Sequence, residues 1–288
     1  MIAAATIACP IERGEVFHQP TTLDEVVALK ARVGSAAAFV AGGTDFVVGV
    51  RKGRRSFGTL IDLSRVAGLD AIEEHEGVLR IGAMVRHAAL ERSGITALAE
   101  ACETVGGPQI RNLGTIGGQI GTASPAGDVS VALIALDAQV ELLSQRGARR
   151  MPLAELFVGP GRTRIGEDEL VSAVFVARER RSAFYKIGKR DAVAISLVMA
   201  AASIGPDGDV AIGLGCVAPI PLRPRRAEAH LAAGPLDAAR IAEAAAIVGE
   251  EVTPISDHRG GADYRRAMAI TLTRRLLTQL AGLEQEPR

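Results

Sequence analysis

Residues 115–128 read TIGGQIGTASPAGD, a run of glycines and small hydroxyl residues closed by one carboxylate, with no lysine, arginine, histidine or cysteine. Such a stretch neither packs a core nor performs acid–base chemistry. What it offers is backbone: glycine lets several N–H groups point into one cavity with no side chain in the way, which makes a nest for an anion. VSVALIAL (129–136) follows as a short apolar helix. The stretch therefore reads as a long loop between packed elements, and loops of that length inside a compact domain are usually functional. Asp128 reads equally as the cap of the following helix and as a ligand contact. Gly106 and Gly107, ahead of Pro108, read as turn geometry.

Upstream, AFVA (38–41) has the pattern of a short buried strand running into GGTDF, after which VVGVRKG has helical spacing. A glycine turn that opens a helix adds the helix's exposed amides to the nest, typically ~0.3–1 kcal/mol per favourable charge. Two such loops, AGGTDF (41–46) and TIGGQIG (115–121), could clamp a diphosphate from both sides, and a dinucleotide is the natural candidate.

Between and beyond them, GTLIDLS (58–64), VLRIGAM (78–84) and AQVELLS (138–144) read as strands, and HAALERS and ITALAEACETV as helices. From about 171 the texture changes. VSAVFVA, SAFYKIG, ISLVMAAASI and DVAIGLGCV are strand-like, with PDGD (206–209) as a hairpin turn, so one antiparallel sheet is expected there. A proline-rich bridge leads into helices at roughly 236–249 and 260–282, the second amphipathic with Arg265, Arg266, Arg274 and Arg275 on its polar side. The division falls near 178: an N-terminal domain over 1–178 and a C-terminal one over 179–288.

Composition narrows the function. The chain has 288 residues, with 33 basic and 33 acidic ones, so no long-range positive field would gather nucleic acid or an anionic membrane. RKGRR (51–55) and RPRR (223–226) read as solvated faces. Cys9, Cys102 and Cys216 are odd in number and far apart, against a disulfide framework or a metal site, and they suit a reducing cytoplasm. The N-terminal MIAAATIACP is too short and lacks a basic lead for a secretory signal. There is no GxGxxG, P-loop, HExxH or GxSxG. The histidines, His18, His75, His87, His230 and His258, are scattered and read as surface or packing residues, so neither a catalytic residue nor a metal ligand is assigned.

In order and spacing, AGGTDFVVGVRKG, LIDLSRVAGL, LRIGAMVRHAALERS and ETVGGPQIRNLGTIGGQIGTASPAGD closely resemble blocks of the FAD-binding medium subunit of the molybdenum hydroxylases, the xanthine dehydrogenase and aerobic carbon monoxide dehydrogenase family. SAFYKIGKR, GLGCVAPIPLRPRRAE and PISDHRGGADYRR are similar to that subunit's C-terminal domain. The resemblance implies an α+β fold: a two-lobed FAD-binding domain like that of vanillyl-alcohol oxidase, then an antiparallel sheet with helices. It implies that Ala41, Gly42, Gly43, Thr44 and Asp45 wrap the FAD diphosphate, and that Thr115, Ile116, Gly117, Gly118 and Gln119 form the second loop. Asp128 would bond cofactor hydroxyls, and Lys186 would stand near the flavin end, where a cation favours the anionic reduced form. Three positions depart from the family: Gln119 replaces an asparagine, Phe184 a tyrosine beside the flavin, and Val105 an aromatic found in some relatives.

The function so implied is electron transfer. A small partner would carry two [2Fe-2S] clusters, a large partner the molybdopterin cofactor, and the flavin here would pass electrons to a quinone, NAD or another acceptor, in a dimer of three-chain units. The alternative is a free-standing FAD oxidase or reductase of the same fold, which would need substrate-facing acid, base or covalent-flavin residues that the C-terminal half does not cluster.

Overall fold

A computed structural model describes residues 16–283 except Asp191; Cys9 and the N-terminal segment read against a secretory signal lie outside them. The described residues begin with β1 (Val16–His18), α1 (Leu23–Val33), β2 (Ala37–Val40), α2 (Phe46–Arg51) and β3 (Thr59–Asp62). The three strands form a parallel sheet in the order β1-β3-β2. α1 starts at a capping box: the Thr22 hydroxyl accepts from the Glu25 amide, and the Glu25 carboxylate accepts from the Thr22 amide. Two of the orphan donors of the first turn are thereby satisfied. This small sheet is one lobe.

The other lobe runs through β4 (Ile72–His75), β5 (Val78–Gly82), α3 (His87–Leu90), α4 (Thr96–Glu103), α5 (Pro108–Arg111), α6 (Ile116–Thr122), α7 (Asp128–Ala135), β6 (Gln139–Ser144), β7 (Gly147–Pro152), β8 (Phe157–Gly159), β9 (Arg162–Thr163) and β10 (Leu170–Ala177). Its main sheet is antiparallel in the order β4-β5-β10-β6-β7. Every residue of α7 is buried. That explains why VSVALIAL shows no amphipathic face: a helix apolar all round belongs inside.

The C-terminal part has β11 (Arg181–Ile187), β12 (Val198–Ile204), β13 (Val210–Gly215), α8 (Arg225–Ala232), α9 (Ala238–Glu251) and α10 (Ala262–Leu280), with an antiparallel sheet β11-β12-β13. β12 is buried along its whole length because α7 packs on the sheet from one element and α10 from another. The β13–α7 approach is close enough to demand glycine: a Cβ on Gly213 would sit 2.2 Å from the Val131 carbonyl oxygen. The Ser203 hydroxyl ties the same surfaces by donating to the Ala135 carbonyl.

Four expectations are corrected. The stretch 115–128 is not one long loop, since α6 occupies 116–122 and only a short bend, with Ala123 at φ 49°, joins it to α7. VSAVFVA is β10, which pairs with β5 and β6 and not with the C-terminal sheet. Asp128 does not cap α7; Gly127 holds that position and Asp128 is the first helical residue. Arg265 is not on a polar face. It is buried in α10, with its guanidinium donating to the Leu197 and Cys216 carbonyls and to Asp257.

Candidate functional site

The two lobes meet at a cleft of about 400 Å³, within the roughly 300–1,000 Å³ typical of small-molecule sites. One wall is the end of β2 and the turn into α2, residues 39 and 41–46; the other holds Met84, His87, Val105, Ile110 and 114–122 except the core residues Ile116 and Ile120. The turns touch. A Cβ on Gly42 would lie 1.8 Å from the Leu113 carbonyl oxygen, and the Thr122 hydroxyl donates to the Asp45 carboxylate at 3.3 Å.

α6 is a helix with an almost bare face. Gly117 packs on the lobe, its would-be Cβ 2.7 Å from Ala83 Cβ, while Gly118 and Gly121 line the cleft, and nothing lies within 4 Å of a Cβ on Gly121. A ligand can therefore lie against main chain there. The amides of its first turn are spent within the protein: Ile116 donates to Val85, Gly117 to Ala83 and Gly118 to the Thr115 hydroxyl. On the opposite wall, among the described residues, the amides of Gly42, Gly43, Thr44 and Asp45 donate to no protein acceptor. The Thr115 amide, at the head of α6 in the cleft lining, likewise donates to no protein acceptor, so the first loop offers four free donors and the second offers one beside a smooth glycine face.

Sequence reading missed His87. It is 3 % exposed, lines the cleft, and its backbone amide donates to the Gly114 carbonyl at 3.0 Å. Burial pushes its pKa down from 6.5 to about 4, against a weaker upward pull from Glu91. The folded chain keeps the ring neutral while the unfolded chain protonates near 6.5, so this group's contribution to stability is lost as pH falls from about 6.5 towards about 4. His87→Gln is expected to remove that slope from a urea-midpoint profile, on the order of 3 kcal/mol at the acid end. A variant with the wild-type slope would assign the acid sensitivity to other groups.

The comparisons with known proteins agree with this geometry. A family model described as the FAD binding domain in molybdopterin dehydrogenase matches residues 11–178, and one described as the CO dehydrogenase flavoprotein C-terminal domain matches 183–280. The chain belongs to the FAD-binding subunits of the molybdopterin dehydrogenases. It is 36 % identical to a nicotinate dehydrogenase FAD-subunit from Eubacterium barkeri over 76 % of this chain and 80 % of that one. It is 31 % identical to a carbon monoxide dehydrogenase medium chain from Hydrogenophaga pseudoflava, over 91 % and 95 % of the two chains. A solved carbon monoxide dehydrogenase from the latter organism superposes with a TM-score of 0.85 at 32 % identity, covering 91 % of this chain and 95 % of its counterpart. The chain is an oxidoreductase subunit with an FAD-binding domain.

The cleft of this flavoprotein subunit fits such a cofactor. A turn with four free amides suits a diphosphate, a glycine face suits close approach of main chain, and Ala41, Gly42, Gly43, Thr44, Asp45, Thr115, Gly117, Gly118 and Gln119 all line it. The Gln119 side-chain oxygen is buried without a partner. Val105 lines the cleft. Phe184 is 4 % exposed and packs in the main core, outside the cleft lining.

Asp128 and Lys186 also lie outside the lining, and they bind each other. The Lys186 ammonium donates to Asp128 at 2.8 Å and to the Thr104 carbonyl at 2.9 Å, and the Ser196 hydroxyl donates to the other Asp128 oxygen at 2.9 Å. Burial pushes the Asp128 carboxyl up, and Lys186 and Ser196 pull it back. The pair ties the start of α7 to β11. Among the described residues no helix is long and apolar enough to cross a membrane, and no group of His, Cys, Asp and Glu could hold a metal ion.

Proposed function

We propose that this subunit is the electron exit of a molybdenum hydroxylase: it takes electrons from [2Fe-2S] clusters of a small partner, supplied by a molybdopterin-bearing large partner, and delivers them to a quinone, NAD or another acceptor. The observation that carries the reading is the interlobe cleft, a free amide turn facing the glycine face of α6, in a chain whose relatives are FAD subunits and medium chains of dehydrogenases. FAD bound there supplies a carrier that exchanges electrons singly or in pairs. The amides of Gly42–Asp45 hold its diphosphate, with Arg55, also in the lining, as the nearby cation. Thr115, Gly117, Gly118 and Gln119 back it on the second wall, and Ile116 anchors that wall from the core.

On the same reading Asp128 offers its carboxylate to a cofactor hydroxyl by exchanging a present partner, and Lys186 stands at the flavin end. Lys186→Met then lowers the flavin midpoint potential while FAD stays bound; an unchanged potential confines Lys186 to its pairing with Asp128. We place the assembly in the cytoplasm as a dimer of three-chain units, with residues 1–178 and 179–288 as the two domains. The decisive experiment reduces the native complex with the large partner's substrate and follows the flavin absorbance. Bleaching in the complex, and none when the isolated FAD-loaded chain meets the same substrate, supports the reading. Turnover by the isolated chain would establish the free-standing oxidase or reductase instead.

A further inference from the structure

His87 is a titratable side chain that neither the resemblance nor the cofactor loops use, and its surroundings give it a task. Its Nδ1 is buried without a hydrogen-bond partner. Its other edge lies against Gly114, also in the cleft lining, where a Cβ would come within 3.0 Å of Cδ2 and 3.3 Å of Nε2. Glycine at 114 is what leaves the ring its place. The Gly114 carbonyl accepts from the His87 amide, and a backbone bridge joins Arg86 to Thr115, so the main chain that carries the imidazole is fixed at the head of α6.

A neutral imidazole has one N–H and one lone pair. Buried N–H groups are left unpaired less often than acceptors. The proton therefore belongs on Nε2, the nitrogen at the edge beside the cleft-lining Gly114, and the buried Nδ1 keeps the lone pair. We infer that His87 is a direct cofactor contact, a neutral hydrogen-bond donor whose Nε2–H reaches an acceptor atom of the flavin nucleotide. The inference rests on the FAD reading of the cleft and adds a residue outside both glycine loops.

Isosteric replacements of the full-length chain separate the donor from the packing. A glutamine amide nitrogen reaches the Nε2 position, an asparagine one the Nδ1 position, and phenylalanine fills the space without a donor. In FAD titrations followed by quenching of flavin fluorescence, His87→Gln should bind within about threefold of wild type, and His87→Asn and His87→Phe roughly tenfold more weakly. Nitrogen-15 spectra of labelled histidine should show the Nε2–H tautomer before FAD is added and a shift of that nitrogen afterwards. Phenylalanine binding as tightly as wild type, asparagine rescuing where glutamine does not, or glutamine falling with phenylalanine would each overturn the assignment. Should the phenylalanine variant fail to fold, the glutamine and asparagine variants decide between them. A wild-type chain that takes up no FAD would instead overturn the reading of the cleft.

Discussion

Alanine at Gly42 should weaken FAD binding by at least roughly a hundredfold, about 2.7 kcal/mol, and should be the most damaging single methyl in the cleft. Its Cβ would fall 1.8 Å from the Leu113 carbonyl oxygen and 2.5 Å from the Leu113 carbonyl carbon, both backbone atoms that no rotamer can move aside. The turn 41–45 must back away from 113–114, carrying its free amides with it. Overpacking of this kind also costs typically ~1–3 kcal/mol of stability. Gly121→Ala provides the contrast. Its Cβ meets nothing within 4 Å and it lies in a helix, so the chain should gain up to about 1 kcal/mol while FAD, pressed against that face, binds less well. Denaturation midpoints and FAD titrations of both variants give the test. Full flavin retention by Gly42→Ala would disprove the amide turn as the diphosphate holder.

The largest loss of stability should come from Lys186→Met, about 3–5 kcal/mol by urea denaturation at neutral pH. The replacement fills the volume but leaves the Asp128 carboxylate, 6 % exposed, with only the neutral hydroxyls of Ser196 and Thr104 in place of the ammonium. Adding Asp128→Asn should restore much of the loss, because the uncompensated charge goes with it. The pH dependence has a definite sign. Without the ammonium, burial alone raises the folded-state pKa of Asp128 above its ordinary value of 3.8. A carboxyl raised in this way favours the folded state at low pH and disfavours it as pH rises through the folded value. The deficit of the single variant should therefore narrow on acidification, and that pH dependence should be absent from the double variant. A loss below about 1 kcal/mol would show the pair to be worth no more than a surface contact.

Much of the site was legible along the chain because its chemistry is local. A strand that ends in Gly-Gly and opens a helix must turn there, and Gly43, at φ 71°, occupies the left-handed region that glycine tolerates and a branched side chain does not. The PDGD hairpin was readable for the same reason: Gly208 sits at φ 84° between β12 and β13. α6 was not readable, because glycines 117, 118 and 121 argue against a helix on propensity. It forms because Thr115 caps it and because Gly117 lets its backbone settle on Ala83. β10 has the same local pattern as the strands after it, and only its register against β5 and β6 assigns its sheet.

The sequence by itself determined the first glycine turn and the order of most strands and helices, since these depend on φ tolerance and apolar spacing among neighbouring residues, and the resemblance of its sequence blocks to a known family carried the fold class and the cofactor. Tertiary structure alone decided which amides remain free, that Asp128 and Lys186 neutralise one another, that Arg265 is buried by Asp257 and two carbonyls, and that His87 stands in the cleft. Those outcomes depend on which distant groups are brought within hydrogen-bond reach, from Lys186 and Asp128 at 2.8 Å to Gly42 against Leu113. Spacing along a chain does not encode them, because they belong to the packing of elements distant in sequence.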